Sequence, residues 1–233
     1  MPSSAVRPLS AIIPALDASA TLPAALASLD EARRYGILRE VVVVDGGSRD
    51  GTAALARAAS ARVLPAPRGR GVQLAAGGAA AIGDWLLFLH ADTRLAPGWP
   101  AAAAAFMADA GNQGRAGYFR FRLEDAAPAA RRVEALVEWR CRRLALPYGD
   151  QGLLIPAALY RELGGFRPLP LMEDVDLIRR LGPQRLALIA ADAITSAERY
   201  RRGGYITRPL RNLGCLALYF LGMPPHLLVR IYR

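Results

Sequence analysis

Residues 40–52 read Glu-Val-Val-Val-Val-Asp-Gly-Gly-Ser-Arg-Asp-Gly-Thr, and this stretch decides the fold class of the chain. Four consecutive valines, with no polar residue between them, predict a strand that is buried on both faces, as in parallel sheets. The strand ends on Asp45, and a turn rich in Gly, Ser and Asp then opens a helix. Ligands of open α/β sheets bind at the carboxyl ends of strands, so Asp45 is expected at a ligand site. Gly46 and Gly47 would let the backbone approach that ligand closely.

A second apolar stretch, residues 84–89, repeats this pattern and ends in His90-Ala91-Asp92. A carboxylate just past a buried strand suits Mg²⁺ or Mn²⁺, and His90 beside it favours the more nitrogen-tolerant Mn²⁺. Two strands that deliver an acid to the same sheet edge predict a site for a nucleotide and a divalent cation. The alternative, in which His90 caps a strand and Asp92 starts a turn, stays open.

Strands and helices alternate regularly over residues 9–90, which predicts an α/β fold with a doubly wound, mainly parallel sheet and helices on both faces. No Gly-, Ser- or Pro-rich linker interrupts the chain, so residues 1–200 are expected to form one domain. Residues 201–233 are expected to form a basic amphipathic helical segment, in which Thr207 caps a helix. The later elements are predicted as strands at 118–123 and 152–155 and as helices at 129–144, 157–163 and 172–181.

The composition excludes several classes of chemistry. All 30 basic residues among the 233 are arginine. Without a lysine the chain has neither a Walker A phosphate loop nor a lysine for a pyridoxal Schiff base. The two cysteines, Cys141 and Cys215, lack metal-ligand or disulfide spacing, so reduced thiols are expected.

Charge is distributed unevenly along the chain. No acid follows Glu198, whereas seven arginines do. Such a tail can contact phosphate groups or an anionic membrane surface, but it matches no nucleic-acid reader motif, so nucleic acid is not expected as a partner. The first eight residues lack the apolar stretch of a signal peptide, and residues 213–223 are too few to span a bilayer, for which about 20 are needed. The expected location is cytoplasmic, with two options open for the tail: the inner face of the membrane, or packing on the domain or on a second copy.

Two further segments carry candidate chemistry. Residues 171–176 place three acids at a helix start, either as favourable charge at the positive helix end or as the source of a general base. Residues 68–71, Arg-Gly-Arg-Gly, open another helix, but Leu74 stands where the dinucleotide fingerprint requires its last glycine. Arg70 is therefore expected near a pyrophosphate, with a solvated surface turn as the alternative.

Taken together, the ordered motifs resemble those of the family 2 glycosyltransferases. The family has the GT-A fold, and the chain is similar in particular to a bacterial subgroup described as arsenosugar-biosynthesis or radical-SAM/selenodomain-associated glycosyltransferases. Some relatives of that subgroup act on carotenoids. The motifs that carry the resemblance are Ile12–Asp17, Val44–Thr52, Phe88–Asp92, Gly149–Gly152, Gly164–Phe166 and Leu171–Asp174.

The resemblance implies a role for each matched position. Pro14, Asp17 and Asp45 would line the nucleoside pocket. Asp92 would be the main metal ligand, with His90 beside it, and Asp174 would be the catalytic base. Gln151 and Glu173 belong to the same motifs and are assigned, with Arg70, Gly46 and Gly47, to substrate binding. The chain departs from the family where Gly46 and His90 replace frequent aspartates.

The function that this resemblance implies is inverting transfer of a sugar from a nucleotide-diphosphate sugar to an acceptor hydroxyl on a small molecule, a lipid or a carotenoid. UDP is the commonest nucleotide in the family, and Mn²⁺ or Mg²⁺ is the expected cofactor. The Gln-x-x-Arg-Trp motif of processive synthases is absent, which favours single transfer. The alternative is a non-catalytic nucleotide-sugar-binding protein of the same fold.

Overall fold

The computed structural model describes residues 9–232, so the expectation about a leader, which rests on residues 1–8, lies outside them. An eight-stranded sheet has the order β3-β2-β1-β4-β7-β6-β8-β5. The strands are β1 (Leu9–Ala15), β2 (Leu38–Asp45), β3 (Arg62–Pro65), β4 (Trp85–Phe88), β5 (Thr93–Leu95), β6 (Ala116–Leu123), β7 (Leu153–Pro156) and β8 (Leu186–Thr195).

Ten helices accompany the sheet within the described residues, besides short 3₁₀ turns. They are α1 (Leu22–Tyr35), α2 (Thr52–Ala58), α3 (Arg70–Ala80), α4 (Trp99–Ala108), α5 (Pro128–Leu144), α6 (Ala157–Glu162), α7 (Glu173–Leu181), α8 (Glu198–Gly203), α9 (Thr207–Phe220) and α10 (Pro225–Tyr232). The predicted α/β fold is confirmed, including its helices on both faces.

The four valines of β2 show why both faces are covered. Side chains of a strand alternate between the two faces. Val41 and Val43 point into a core layer shared with α1 and α4, whereas Val42 and Val44 point into a second layer shared with α3, α6 and α7. All four valines are at most 3% exposed.

The sheet changes character after β4. Strands β1 to β4 pair in parallel, as predicted. Strand β7 then runs antiparallel to both β4 and β6, while β8 is parallel to β6 and antiparallel to β5. Sequence analysis did not predict β5 or β8. The former has three residues, and the latter is rich in alanine and lacks a regular alternation of buried and exposed side chains.

The C-terminal segment packs on the domain. Cys215 and Leu216 of α9 and Leu228 of α10 join the second core layer. The predicted cap was wrong, because the Thr207 hydroxyl donates to the carbonyl of Gly203 and the cap position is Ile206. Within residues 9–232, no helix combines the length and the apolar character that a bilayer crossing requires.

Candidate active site

The loops after β1 and β2 form the first part of the predicted site. Ala15 and Asp45 are register partners, so both loops leave the same sheet edge. The Asp45 carboxylate accepts from the Ser48 backbone N–H at 3.1 Å and from the Ser48 hydroxyl. Asp17 accepts from the Arg49 backbone N–H at 2.8 Å, and its own N–H donates to the Ser48 hydroxyl at 2.9 Å. Ser48 therefore joins the two aspartates that the sequence assigned to a nucleoside pocket.

Gln73 of α3 contacts the ends of β1 and β2, where these two loops begin. Its amide nitrogen donates to the carbonyls of Ala15 at 2.7 Å and Val44 at 2.8 Å. A Cβ on Gly46 would lie only 3.1 Å from the same nitrogen, so the close approach favours glycine there. Gly47 has a φ of +89° and needs glycine for conformational reasons. Pro14 is buried within β1, next to Val44 of β2.

A cleft beside these loops contains the other predicted residues except Gln151. His90 and Asp92 reach it from the segment between β4 and β5, and Glu173 and Asp174 from the first turn of α7. Arg70, the first residue of α3, completes the predicted set. The cleft is also lined by Tyr148, Gly149, Asp150, Leu171, Met172, Val175, Thr195, Ser196, Arg199, Tyr200, Arg208, Asn212 and Tyr232.

Asp174 is oriented by the backbone. One carboxylate oxygen accepts from the N–H of Gly149 at 2.9 Å, and the other accepts from the N–H of Val175 at 2.8 Å. Met172, just before the helix, has a φ of +64°, a conformation that a non-glycine residue rarely adopts and that redirects the chain into α7. The remaining lone pairs of Asp174 are available to a hydroxyl group in the cleft.

Two ion pairs cross the cleft. Arg70 Nε lies 3.0 Å from Oε1 of Glu173, and the Glu173 side chain is only 3% exposed. Arg199 Nη2 lies 3.3 Å from Oδ2 of Asp92. Burial lowers the pKa of Arg70, but the charges of Glu173 and Asp174 outweigh it, so the net shift is upward. Burial raises the pKa of Glu173 against the opposing charge of Arg70.

Burial also shifts the pKa of His90. Burial and the charge of Arg70 lower this pKa to about 4, so the imidazole is neutral at pH 7. A neutral imidazole has a lone pair that can bind a metal ion. The His90 ring lies directly against Gly149, where a Cβ would come within 2.4 Å of Nε2.

Asp150 is a second acid with a shifted pKa. Burial, which outweighs the charge of Arg140, raises its pKa to about 6. Its Oδ1 is shielded from solvent and has no hydrogen-bond partner among the described residues. An acid with a pKa near neutrality in a cleft suits proton transfer.

The donor set fits a divalent cation with few protein ligands. Asp92 supplies carboxylate oxygens and His90 a neutral nitrogen, while no group of three or more such side chains lies close enough for a metal within residues 9–232. Mg²⁺ and related ions often use one or two carboxylates and complete their coordination with substrate phosphates and water. The described residues are therefore compatible with a cation that binds together with a diphosphate.

The structure brings five predicted residues into the cleft: Asp174, Glu173, Arg70, Asp92 and His90. It places Pro14 and Asp45 in β1 and β2, and Asp17, Gly46 and Gly47 in the loops that follow these strands. None of the five lines the cleft.

Gln151 requires a correction, because its geometry does not support substrate contact. The side chain is 2% exposed, and its amide donates to the Phe119 carbonyl and accepts from Arg140, Cys141 and the Tyr148 backbone. It thus fixes the loop that carries Asp150.

Sequence analysis missed several residues of the cleft. Asp150 stands in the quoted Gly149–Gly152 element but received no role, and its position in that element was the available signal. Arg199, Arg208 and Tyr232 belong to the basic tail, which composition marked as a surface without indicating that it turns into the cleft. Only the packing of α8 to α10 brings them there.

One family model matches the chain, and several solved structures are similar to it in fold. The sequence profile of glycosyl transferase family 2 matches residues 10–152. Glucosyl-3-phosphoglycerate synthase from Mycobacterium tuberculosis, in complex with Mn²⁺, UDP and phosphoglyceric acid, is 22% identical, with a TM-score of 0.64 over 94% of this chain and 80% of that one. S. aureus TarS 1-349 is 15% identical, with a TM-score of 0.65 over 97% of this chain and 69% of that one.

A third similar structure is mannosyl-3-phosphoglycerate synthase from Rubrobacter xylanophilus. It is 18% identical, with a TM-score of 0.61 over 93% of this chain and 75% of that one. Among proteins of curated function, none matches this chain significantly. At these identities the structural likenesses show the fold, and the family follows from the profile.

Proposed function

The chain belongs to glycosyl transferase family 2, and on that premise we propose that it is an inverting enzyme that transfers a sugar from a nucleotide-diphosphate donor to an acceptor hydroxyl. The observation that carries this proposal is the cleft in which Asp174, backed by two N–H groups, shares a wall with Asp92 and His90. The mycobacterial neighbour, described with UDP and Mn²⁺, supports a UDP-sugar as the first donor to test.

In the proposed reaction, the acceptor oxygen attacks the anomeric carbon on the face opposite the leaving diphosphate. A new C–O bond forms, the bond to the diphosphate breaks, and Asp174 takes the proton of the acceptor hydroxyl. Asp92 and His90 would hold the divalent cation, Mn²⁺ or Mg²⁺, which when bound neutralises the negative charge of the leaving group. Asp17 and Asp45 would contact the nucleoside from the adjacent loops.

Arg199 has a defined task in this scheme. In the described structure it pairs with Asp92 at 3.3 Å and so neutralises the carboxylate. A cation at Asp92 would take over that role, and Arg199 would be released toward the diphosphate. The guanidinium geometry suits bidentate contact with phosphate oxygens.

The experiment is an assay of sugar transfer and donor hydrolysis with a panel of UDP-, GDP- and TDP-sugars in Mn²⁺, Mg²⁺ or EDTA. Turnover of one donor supports the enzyme, whereas tight binding without any turnover would support the non-catalytic alternative. Retention of the anomeric configuration in the product would contradict the inverting mechanism.

The cation assignment is tested by calorimetry of nucleotide binding. We expect Mn²⁺ to strengthen UDP binding to the native protein and to have no such effect on Asp92→Ala. Equal UDP affinity in EDTA and in Mn²⁺ for the native protein would contradict a cation at Asp92. His90→Ala should do less harm, because hard cations prefer oxygen ligands.

For the tail we propose peripheral contact with an anionic membrane from the cytoplasmic side. Ile206, at the cap of α9, and Leu210 and Leu213 on that helix recur at helical spacing and are 71%, 62% and 52% exposed. Seven arginines and no acid occupy the chain after Glu198. Two copies facing each other through this surface would oppose like charges, which disfavours a homodimer here. Salt-sensitive co-sedimentation with anionic vesicles supports the proposal, and its absence together with a dimer in solution would contradict it.

A further inference from the structure

The C-terminal helices supply one wall of the cleft. Arg208 and Asn212 lie one turn apart on α9, and Tyr232 lies near the end of α10. All three are beyond the region that the family profile matches, residues 10–152. This wall is therefore a part of the cleft that the shared family sequence does not specify.

Among residues 9–232, three arginines line the cleft, and they differ in their partners. Arg70 pairs with Glu173, and Arg199 pairs with Asp92. Within residues 9–232, no carboxylate lies at ion-pair distance from Arg208. An uncompensated arginine in a cleft is available to an anionic ligand.

Aromatic rings hold the Arg208 guanidinium in place. Its central carbon lies 5.7 Å from the Tyr200 ring centroid and 6.0 Å from that of Tyr232. One of its nitrogens donates to the Tyr232 hydroxyl at 3.4 Å. This arrangement restrains the guanidinium without neutralising its charge, because cation–π contacts leave the positive group intact.

Asn212 adds an unsatisfied polar atom to the same wall. Its Oδ1 is shielded from solvent and has no hydrogen-bond partner among the described residues. A buried acceptor without a partner is costly, and a ligand hydroxyl would satisfy it. Arg208 and Asn212 thus offer a cationic donor and a hydroxyl acceptor on one helix face.

Arg208 has different partners from the two arginines next to the candidate donor site. Arg70 and Arg199 pair with Glu173 and Asp92, whereas Arg208 contacts the rings of Tyr200 and Tyr232. The loops with Asp17 and Asp45 lie outside this wall. This difference in partners favours contact of Arg208 with the second substrate, the acceptor.

We propose that Arg208, Asn212 and Tyr232 form a subsite for a negatively charged group, a phosphate or a carboxylate, on a hydroxyl-bearing acceptor. This deepens the proposed glycosyl transfer and rests on it. Arg208 would bind the anion, the Tyr232 hydroxyl would add a hydrogen bond, and Asn212 would accept from a neighbouring acceptor hydroxyl. The negative charge would anchor the acceptor with its reactive hydroxyl toward Asp174.

The test uses the full chain with saturating UDP and Mn²⁺ and three probes: glycerol 3-phosphate, D-glycerate and neutral glycerol. Calorimetry should show saturable binding of at least one anionic probe and much weaker binding of glycerol. Arg208→Gln should weaken that binding about 10- to 100-fold, as loss of a charge-assisted hydrogen bond predicts. UDP affinity, measured without probe, should stay within about twofold in that variant.

A second variant guards against a purely structural effect. Asn212→Asp keeps the side-chain shape but places a carboxylate one turn from Arg208, and it should repel the anionic probe while the unfolding midpoint is retained. Arg202→Gln is the matched control, since this side chain is 79% exposed and pairs with Glu198 outside the cleft. It removes the same charge and should leave both probe binding and donor hydrolysis unchanged.

Each possible outcome supports or overturns the proposed subsite. Equal binding of glycerol and the anionic probes, or no effect of both cleft variants, overturns the subsite. Loss of UDP affinity in Arg208→Gln assigns the arginine to the donor diphosphate and overturns the acceptor assignment. Absence of donor turnover by the native protein would instead count against the proposed function, while anionic probe binding would still be measured separately.

Discussion

The loops after β1 and β2, which we call the donor-side loops, and the cleft stabilise the negative charges of their carboxylates in different ways. After β1 and β2, Asp17, Asp45 and Asp50 accept hydrogen bonds from backbone N–H groups and hydroxyls of the two loops themselves. In the cleft and behind it, Asp92 and Glu173 face arginines that are about 100 residues away in sequence.

This difference shows how each site is built. Charge in the donor-side loops is stabilised by two short segments, so a short motif specifies most of the geometry. Charge in the cleft is stabilised by residues from α3, α7 and α8, so it depends on how these helices pack. We therefore expect substitutions in the cleft to act through charge. Substitutions of residues that support the donor-side loops, such as Gln73, should act through hydrogen bonding and packing.

The largest expected effect is that of Asp174→Asn on turnover. The amide keeps the shape of the side chain but cannot take a proton, so kcat should fall by about 10²- to 10⁴-fold, the range for a general base, with little change in UDP affinity. Steady-state kinetics and calorimetry measure the two quantities. Asp84→Asn, at an exposed aspartate, is the control. Near-native turnover by Asp174→Asn would move the base to another carboxylate, with Asp150 the first to test.

The next effect concerns a buried charge behind the cleft. Asp176 is 7% exposed and accepts from Arg167 at 3.0 Å and from Arg180 at 2.9 and 2.6 Å. Asp176→Asn should lower the free energy of unfolding by about 3 kcal/mol, because it leaves the arginines without a compensating charge. Urea unfolding measures this. The exposed pair of Glu162 and Arg185 gives the control Glu162→Gln, for which less than about 1 kcal/mol is expected. Equal losses in both variants would contradict the comparison.

A smaller effect is expected at Gln73, which supports the donor-side loops. Gln73→Met keeps the side-chain volume but removes the donor to the carbonyls of Ala15 and Val44, which should cost about 1–3 kcal/mol of unfolding free energy. Because the change is uncharged, the loss should not depend on salt, and UDP binding should weaken with it. Gln184→Met, at an exposed position, is the control. A strongly salt-dependent loss would break the distinction between the two regions.

The smallest effect is a gain of stability. Burial raises the pKa of Asp150 to about 6 from its usual value of 3.8, so the folded state binds more protons than the unfolded state between these pH values. Stability contributed by this group therefore falls as the pH rises through that window. Asp150→Asn should stabilise the protein by about 1–2 kcal/mol at pH 8 and not at pH 3.5. Urea unfolding in EDTA at both pH values measures this, and a gain of equal size at both would contradict ionisation as the cause.

Two apolar segments of the sequence were sufficient to predict the first half of the fold. The four valines of β2 have no polar residue between them, and β4 is apolar throughout, so only a sheet covered on both faces can bury them. Asp45 is the last residue of β2, and Asp92 lies in the short segment after β4. Short segments of the sequence thus specify the type of sheet and the edge at which a ligand is expected.

The second half of the sheet was less accessible to such reasoning. Strand β8 has buried residues at irregular intervals, because it pairs with β6 across a register shift and with β5 on its other side. No periodicity in the sequence marks a strand of this kind. Its existence depends on the partners that tertiary structure supplies.

By itself, the sequence determined the α/β sheet, the family motifs and the five predicted residues that meet in the cleft. Only tertiary structure decided that Gln151 turns into the core, that Asp150 is buried with a raised pKa, and that Arg208 and Tyr232 form a cleft wall. The physical reason is the distance along the chain over which each interaction acts. Strand burial and turn chemistry act over a few neighbouring residues, whereas desolvation and charge pairing depend on helices that meet from distant parts of the chain.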